Sequence, residues 1–179
     1  AIRKLKKEVL QKLSEANEFS SAEVERALDH VNSSYVRNLI LEDRKRIDSR
    51  NLNEIRPITC EINVLKNPHG SSLFTRGETQ VLASATLAST DDKQRSETLW
   101  STDTRENFML HYNFPPFSVG EARMQRSPGR REIGHGSLAK RALSPTLPKE
   151  SDFSYAIRLV GETLESNGSS SMATVCAGT

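Results

Sequence analysis

The apolar period of this chain changes once, and that change constrains its fold more than any single motif. As far as residue 45, apolar side chains recur at helical spacing: Ile2, Leu5, Val9, Leu10 and Leu13, then Val24, Leu28, Val31, Tyr35 and Leu39. The second run opens on a capping box, Ser20 followed by Glu23. A helical hairpin is therefore expected over 1–45, as a linker or packing element. After the polar stretch Arg44–Arg50 the period falls to two. Ile58, Cys60, Ile62 and Val64 alternate with polar residues, which predicts a half-buried strand.

The strand signals continue. Asn67-Pro68-His69-Gly70 is a turn, and Ser71–Arg76 and Thr79–Leu87 flank a second turn at Gly77-Glu78. Val81, Ala83, Ala85 and Leu87 share a face whose small residues admit another layer closely. Residues 89–106 are polar, hold one Trp and predict a loop. Phe108, Leu110, Tyr112 and Phe114 form the next alternating strand, closed by Pro115-Pro116. A loop over 117–130 is long enough to suggest function. A helix follows at Arg131–Leu143 despite Gly134 and Gly136, each worth about 1 kcal/mol against it relative to Ala. Close packing or ligand access would offset that cost. Phe153, Tyr155, Ile157 and Leu159 predict the last strand, before a Ser-rich turn and a final helix. The class is α+β: a helical segment over 1–45, then a domain over 46–179 with a mixed sheet packed by helices.

Hydrophobic residues make up 35% of the chain and charged residues 27%, too much apolar content for a disordered chain. The net charge is only +2, so its distribution matters more than its sum. Arg123, Arg126, Arg130, Arg131, Lys140 and Arg141 face only Glu121 and Glu132 between Gly120 and Arg141. Such a cluster either meets phosphate or nucleic acid or is a solvated loop. Cys60 and Cys176 are expected as small core residues, with neither a disulfide framework nor a metal spacing. A reducing cytosol or organelle matrix is the default compartment. No signal peptide or membrane span is evident. The chain begins Ala-Ile and stops at Gly178-Thr179 within an apolar helical run, which suggests a piece of a longer protein.

The chemistry concentrates at Glu165–Ala173. Asn167-Gly168 favours positive φ and reverses the chain. Ser169, Ser170 and Ser171 then fall at the cap and first turn of a helix, where N–H groups lack intrahelical partners. The dipole favours an anion there by roughly 0.3–2 kcal/mol. An ordinary serine cap with nothing bound is the plainer alternative, although one serine would suffice for it. Arg130 and Arg131 open the preceding helix, where adjacent cations oppose the dipole unless an anion is near. His135 lies one turn after Arg131 and can face the same site, or can be a packing histidine. Arg76, at the strand end Phe74-Thr75-Arg76-Gly77, is by itself a surface hairpin residue.

Four stretches together resemble the polynucleotide phosphorylase family: Leu73–Leu82 (LFTRGETQVL), Phe108–Gly120 (FMLHYNFPPFSVG), Ser127–Gly136 (SPGRREIGHG) and Glu165–Ala173 (ESNGSSSMA). The similarity is to the second of its two RNase PH-like domains, with 1–45 resembling the end of the helical segment that joins them. The resemblance implies a 3′→5′ exoribonuclease in which inorganic phosphate releases nucleoside diphosphates, reversibly. It implies that Ser169, Ser170 and Ser171 bind the attacking phosphate. Arg130, Arg131 and His135 would surround that phosphate and the RNA 3′ end, and Arg76 would lie near the RNA path. The family's magnesium-binding acids and a lysine lie downstream of the Ser-rich turn, so no metal ligand is expected in this chain. The chain alone is expected to be inactive.

The implied partners are single-stranded RNA 3′ ends, nucleoside diphosphates, two further copies in a trimeric ring, and an RNA degradosome, with no membrane. The implied place is the bacterial cytoplasm, with an organelle matrix as the alternative. One departure is Ser49 in Arg46-Ile47-Asp48-Ser49-Arg50, where the family has Gly. A tRNA-trimming RNase PH and a non-catalytic RNA-binding subunit of an exosome-like ring are the alternative functions.

Overall fold

The computed structural model describes residues 2–15, 19–98, 101–125 and 127–179. It divides into two compact units, one running to Ile55 and one from Arg56 to Thr179. Trp100 and Arg126, noted in the sequence, lie outside the described residues.

The first unit holds α1 (Ile2–Glu15) and α2 (Ser21–Leu41). The capping box forms: Glu23 accepts from the Ser20 backbone N–H at 2.9 Å, and the Ser20 hydroxyl accepts from the Glu23 N–H at 3.4 Å. Val9, Leu13, Val24, Leu28 and Val31 line the groove between the helices. Lys6 pairs with Asp29 across it at 2.6 Å. Of the α2 stripe only Val24 is buried, and Val31 and Tyr35 stay exposed. Two helices alone cannot cover so long an apolar face. Beyond α2, Arg46 donates to the carbonyls of Leu52 and Glu54 and so knits the segment into a bend. The two compact units divide between Ile55 and Arg56. Ser49 takes φ +65°, the left-handed conformation in which glycine would be unstrained.

The second unit is built on a five-stranded sheet. Its strands are β1 (Ile58–Ile62), β2 (Gly70–Arg76), β3 (Thr79–Ala88), β6 (Phe108–Asn113) and β7 (Ala156–Glu165), in the order β1-β2-β3-β7-β6. The first four neighbours pair antiparallel, and β6 pairs parallel with β7. The sheet is mixed, as the alternation of strand and helix predicts. The crossover from β6 to the parallel β7 contains α3 (Arg130–Leu143), and β7 leads into α4 (Ser170–Gly178). Phe74, Val81, Ala83, Phe108, Leu143, Leu159, Ala173 and Ala177 form the core between sheet and helices.

Gly161 of β7 sits under α4, where a Cβ would come 2.6 Å from Thr174 Cγ2. Gly136 of α3 packs on β6, with Tyr112 Cβ 3.4 Å from where its own Cβ would be. A side chain at Gly136 would thus meet β6 at ordinary van der Waals distance, whereas Gly134 faces open space.

Four sequence expectations need correction. Residues 94–98 and 101–106 are not loop but strands β4 (Gln94–Thr98) and β5 (Ser101–Glu106), paired as a separate antiparallel hairpin. The last strand begins at Ala156, so Phe153 and Tyr155 precede it, and their rings meet at a tilt instead. β1 is exposed along its whole length, because it pairs only with β2 at the sheet edge and the helices lie over β2, β3, β6 and β7. Cys60 is exposed for that reason. Cys176 is exposed with Met172, one turn earlier on α4, because Ala173, Thr174 and Ala177 take the face toward the sheet.

Candidate phosphate site

The site lies where β7 turns into α4. Gly168 adopts φ +88° and Ser169 φ +55°, so the chain reverses through two left-handed residues and enters the helix. Ser169 is the N-cap, and its side chain makes no capping hydrogen bond. The first helical backbone bond runs from the Ala173 N–H to the Ser169 carbonyl at 3.2 Å, which leaves the first-turn N–H groups without intrahelical partners. Ser170 and Ser171 follow as the first two helical residues, both buried.

A cleft of about 500 Å³ opens at this end of α4. Its wall brings together Ser169, Ser170, Arg131 and His135, with Tyr112, Arg123, Glu121 and Glu132 around them. Tyr112 organises the floor. Its hydroxyl shares a 2.7 Å hydrogen bond with Ser170 Oγ, and its ring meets the His135 ring edge-on at 5.4 Å. His135 Nδ1 is buried and has no partner among the described residues. Glu132 ties α3 to the end of β6, accepting from the N–H groups of Gly129 (2.7 Å) and Phe114 (3.2 Å). Arg123 is neutralised by Glu121 at 2.7 Å, whereas Arg131 carries no ion pair among the described residues. The uncommitted cation therefore stands in the same cleft as the open helix end. That arrangement suits an oxyanion.

Not every expected residue reaches the cleft. Arg130, the first residue of α3, is exposed and outside the lining, since successive helical residues point about 100° apart. Ser171 is buried but also lies outside it. Arg76 does not project freely, as a surface hairpin residue would. It donates to the carbonyls of Gly168 (3.1 Å) and Ser169 (3.3 Å) and lies outside the cleft lining. Sequence reasoning missed Tyr112, which reads as one more apolar residue of a strand, and Arg56, which donates to the Asn167 carbonyl at 3.1 Å. No local signal marks either.

Among the described residues no group of three or more His, Cys, Asp or Glu is placed to hold a metal ion. No described helix is long and apolar enough to cross a membrane.

A mixed five-stranded sheet with a serine turn feeding α4 defines a class, and the chain belongs to it: the RNase PH family of 3′ exoribonucleases, whose domain 1 matches residues 54–179. Residues 1–51 match the RNA-binding domain of polyribonucleotide nucleotidyltransferase. The chain is 53% identical to the polyribonucleotide nucleotidyltransferase of Trichlorobacter lovleyi over 99% of its own length and 25% of that protein's. It is 60% identical to that of Hydrogenobaculum sp. over 83% and 21% of the two chains. It thus spans about a quarter of the length of these curated relatives. In fold it is similar to an Archaeoglobus fulgidus exosome solved with RNA bound to the active site. The TM-score is 0.61 at 22% identity, covering 84% of this chain and 59% of that one.

Proposed function

We propose that this chain supplies the phosphate-binding wall of a phosphorolytic 3′→5′ exoribonuclease. One observation carries the reading: Arg131, His135, Ser169 and Ser170 line a single cleft at the open end of α4. The names of the relatives support the same reaction class. Inorganic phosphate seated there attacks the phosphorus of the RNA 3′-terminal phosphodiester. A bond forms between a phosphate oxygen and that phosphorus, and the bond to the preceding 3′ oxygen breaks. The terminal nucleotide leaves as a nucleoside diphosphate, and the shortened RNA takes a proton as its new 3′ hydroxyl.

Two anions must approach for this to happen. Their repulsion at 4 Å is on the order of 4 kcal/mol at an effective dielectric of 20. Arg131 offsets it with a full charge and the α4 end with oriented N–H groups. The Ser170 hydroxyl is fixed by Tyr112, so it meets the ion in one orientation. His135 is held edge-on by the same ring and donates to a phosphate oxygen. A single-stranded RNA 3′ end is the substrate. A homotrimeric ring, an RNA degradosome, magnesium dependence of the whole enzyme and a cytoplasmic setting accompany this reading through the family resemblance.

Phosphate affinity is the test. Isothermal titration of the chain with inorganic phosphate should show a loss of about tenfold or more on Arg131→Ala and again on Ser170→Ala, the size of one charge-assisted hydrogen bond. Unchanged affinity in both variants would sink the assignment.

A further inference from the structure

The serine turn is gripped by four residues that do not line the cleft. Arg56 Nη1 donates to the carbonyl of Asn167 at 3.1 Å. Arg76 Nη2 donates to the next two carbonyls, of Gly168 at 3.1 Å and Ser169 at 3.3 Å. Thr79, fully buried, accepts from the Asn167 N–H at 3.0 Å and donates to the Gly168 carbonyl at 3.3 Å. Glu78 accepts from the Asn167 side-chain amide at 2.8 Å. Three consecutive carbonyls are thereby held, the first by Arg56 just ahead of β1 and the next two from the β2–β3 hairpin.

The geometry of the peptide bond gives this grip a consequence. In a trans peptide the carbonyl of one residue and the N–H of the next point in opposite directions. All the described peptides here are trans. Pulling back the carbonyls of Asn167, Gly168 and Ser169 therefore turns out the N–H groups of Gly168, Ser169 and Ser170. None of these three finds an acceptor among the described residues, and all three residues line the cleft. A row of N–H groups turned outward by left-handed residues is an anion nest. Ser169 adopts this conformation at a cost that glycine would not carry, so something must hold it there.

We propose that Arg56 and Arg76 are positioning residues for the phosphate turn. They do not touch the ion. They pull three carbonyls back so that three N–H groups face it. Gly77 belongs to the same device. It turns the hairpin at φ +56°, and a Cβ on it would stand 3.0 Å from Arg56 Cδ, in the path of that side chain. The inference rests on the phosphate site proposed above and assigns Arg76 to the cradle, not to the RNA path.

The test titrates the isotopically labelled chain with inorganic phosphate and follows the backbone amide resonances. Those of Gly168, Ser169 and Ser170 should move with the ion. Arg76→Met should weaken phosphate about tenfold, the loss of one charge-assisted hydrogen bond. Arg76→Lys should recover part of that loss, and binding of a poly(A) oligonucleotide in phosphate-free buffer should be unchanged. Thermal melting checks that each variant is folded. Should Arg76→Met unfold the chain, Arg56→Met at the other end of the clamp carries the same expectation. A folded Arg76→Met chain that loses RNA but keeps its phosphate affinity overturns the inference. So does phosphate binding that leaves the three amides unmoved, an outcome that spares the phosphate site itself. No phosphate binding by the unsubstituted chain overturns both.

Discussion

Tyr112 joins three elements through one side chain. It comes from β6, bonds Ser170 at the start of α4 and packs against His135 of α3. Tyr112→Phe keeps the ring and removes only the hydroxyl, so the His135 contact should survive. The buried Ser170 hydroxyl loses its partner, at a cost of about 1 kcal/mol. Urea unfolding should show that loss, and phosphate affinity should fall with it; a variant with unaltered stability and affinity would show that the bond contributes nothing.

His111 offers a pH test. Partial burial lowers the pKa of its imidazole, and the nearby charges of Arg158 and Lys140 lower it further. Arg158 Nε donates to His111 Nδ1 at 3.4 Å, which requires the neutral ring. The folded pKa lies below the unfolded one, so the unfolded chain binds the proton first. The contribution to stability is complete above the unfolded pKa, near 6.5. It is lost as pH falls through the folded value. The chain should melt at lower temperature at pH 5 than at pH 7.5, and His111→Gln should flatten that slope. A slope identical in both proteins would exclude His111 as its source. At this scale the sequence shows what a residue can do locally. The Asn-Gly-Ser turn is visible because its chemistry is local. The Tyr112–Ser170 and Arg56–Asn167 pairs are not, because they depend on which strands become neighbours.

Elements differ in how plainly they announce themselves. The β2–β3 hairpin and α3 stand out because their apolar residues keep one period and one buried face. β4 and β5 do not, because Gln94–Thr98 and Ser101–Glu106 are polar throughout and pair away from the main sheet. β1 has the alternation of a buried strand without the burial, because nothing in a local pattern tells whether a helix will cover a given edge.

The contact between β7 and α4 is the element-level weak point of the site. Gly161 has no room for a side chain beneath Thr174, whose hydroxyl donates to the Ser170 carbonyl at 3.0 Å. Gly161→Ala should lift the start of α4 and destabilise the chain by about 1–3 kcal/mol, as overpacking does in other cores. Phosphate affinity should drop in parallel. A fully stable Gly161→Ala chain would mean that α4 can move away freely.

At the scale of the molecule, every residue of the cleft and its clamp lies between Arg56 and Thr179, within the second compact unit. Residues 56–179 produced alone should therefore fold cooperatively and bind phosphate within about twofold of the longer chain, a difference of roughly 0.4 kcal/mol. Loss of phosphate binding with an intact circular dichroism spectrum would assign the helical hairpin a part in the site.

The grip of Arg76 on Ser169 joins residues 93 positions apart in the chain. Closing so long a loop is entropically costly, and non-local contacts of this kind form late in folding. The early hairpin β2–β3 can exist while β7 and α4 are still unformed, but the anion nest cannot. During synthesis, affinity for phosphate would arrive only when the last strand is seated beside β3. From then on the proposed ion would bind the native state alone, and each bound phosphate would draw the chain away from the unfolded ensemble. The proposed ligand would in this sense also be the last fastener of the fold that receives it.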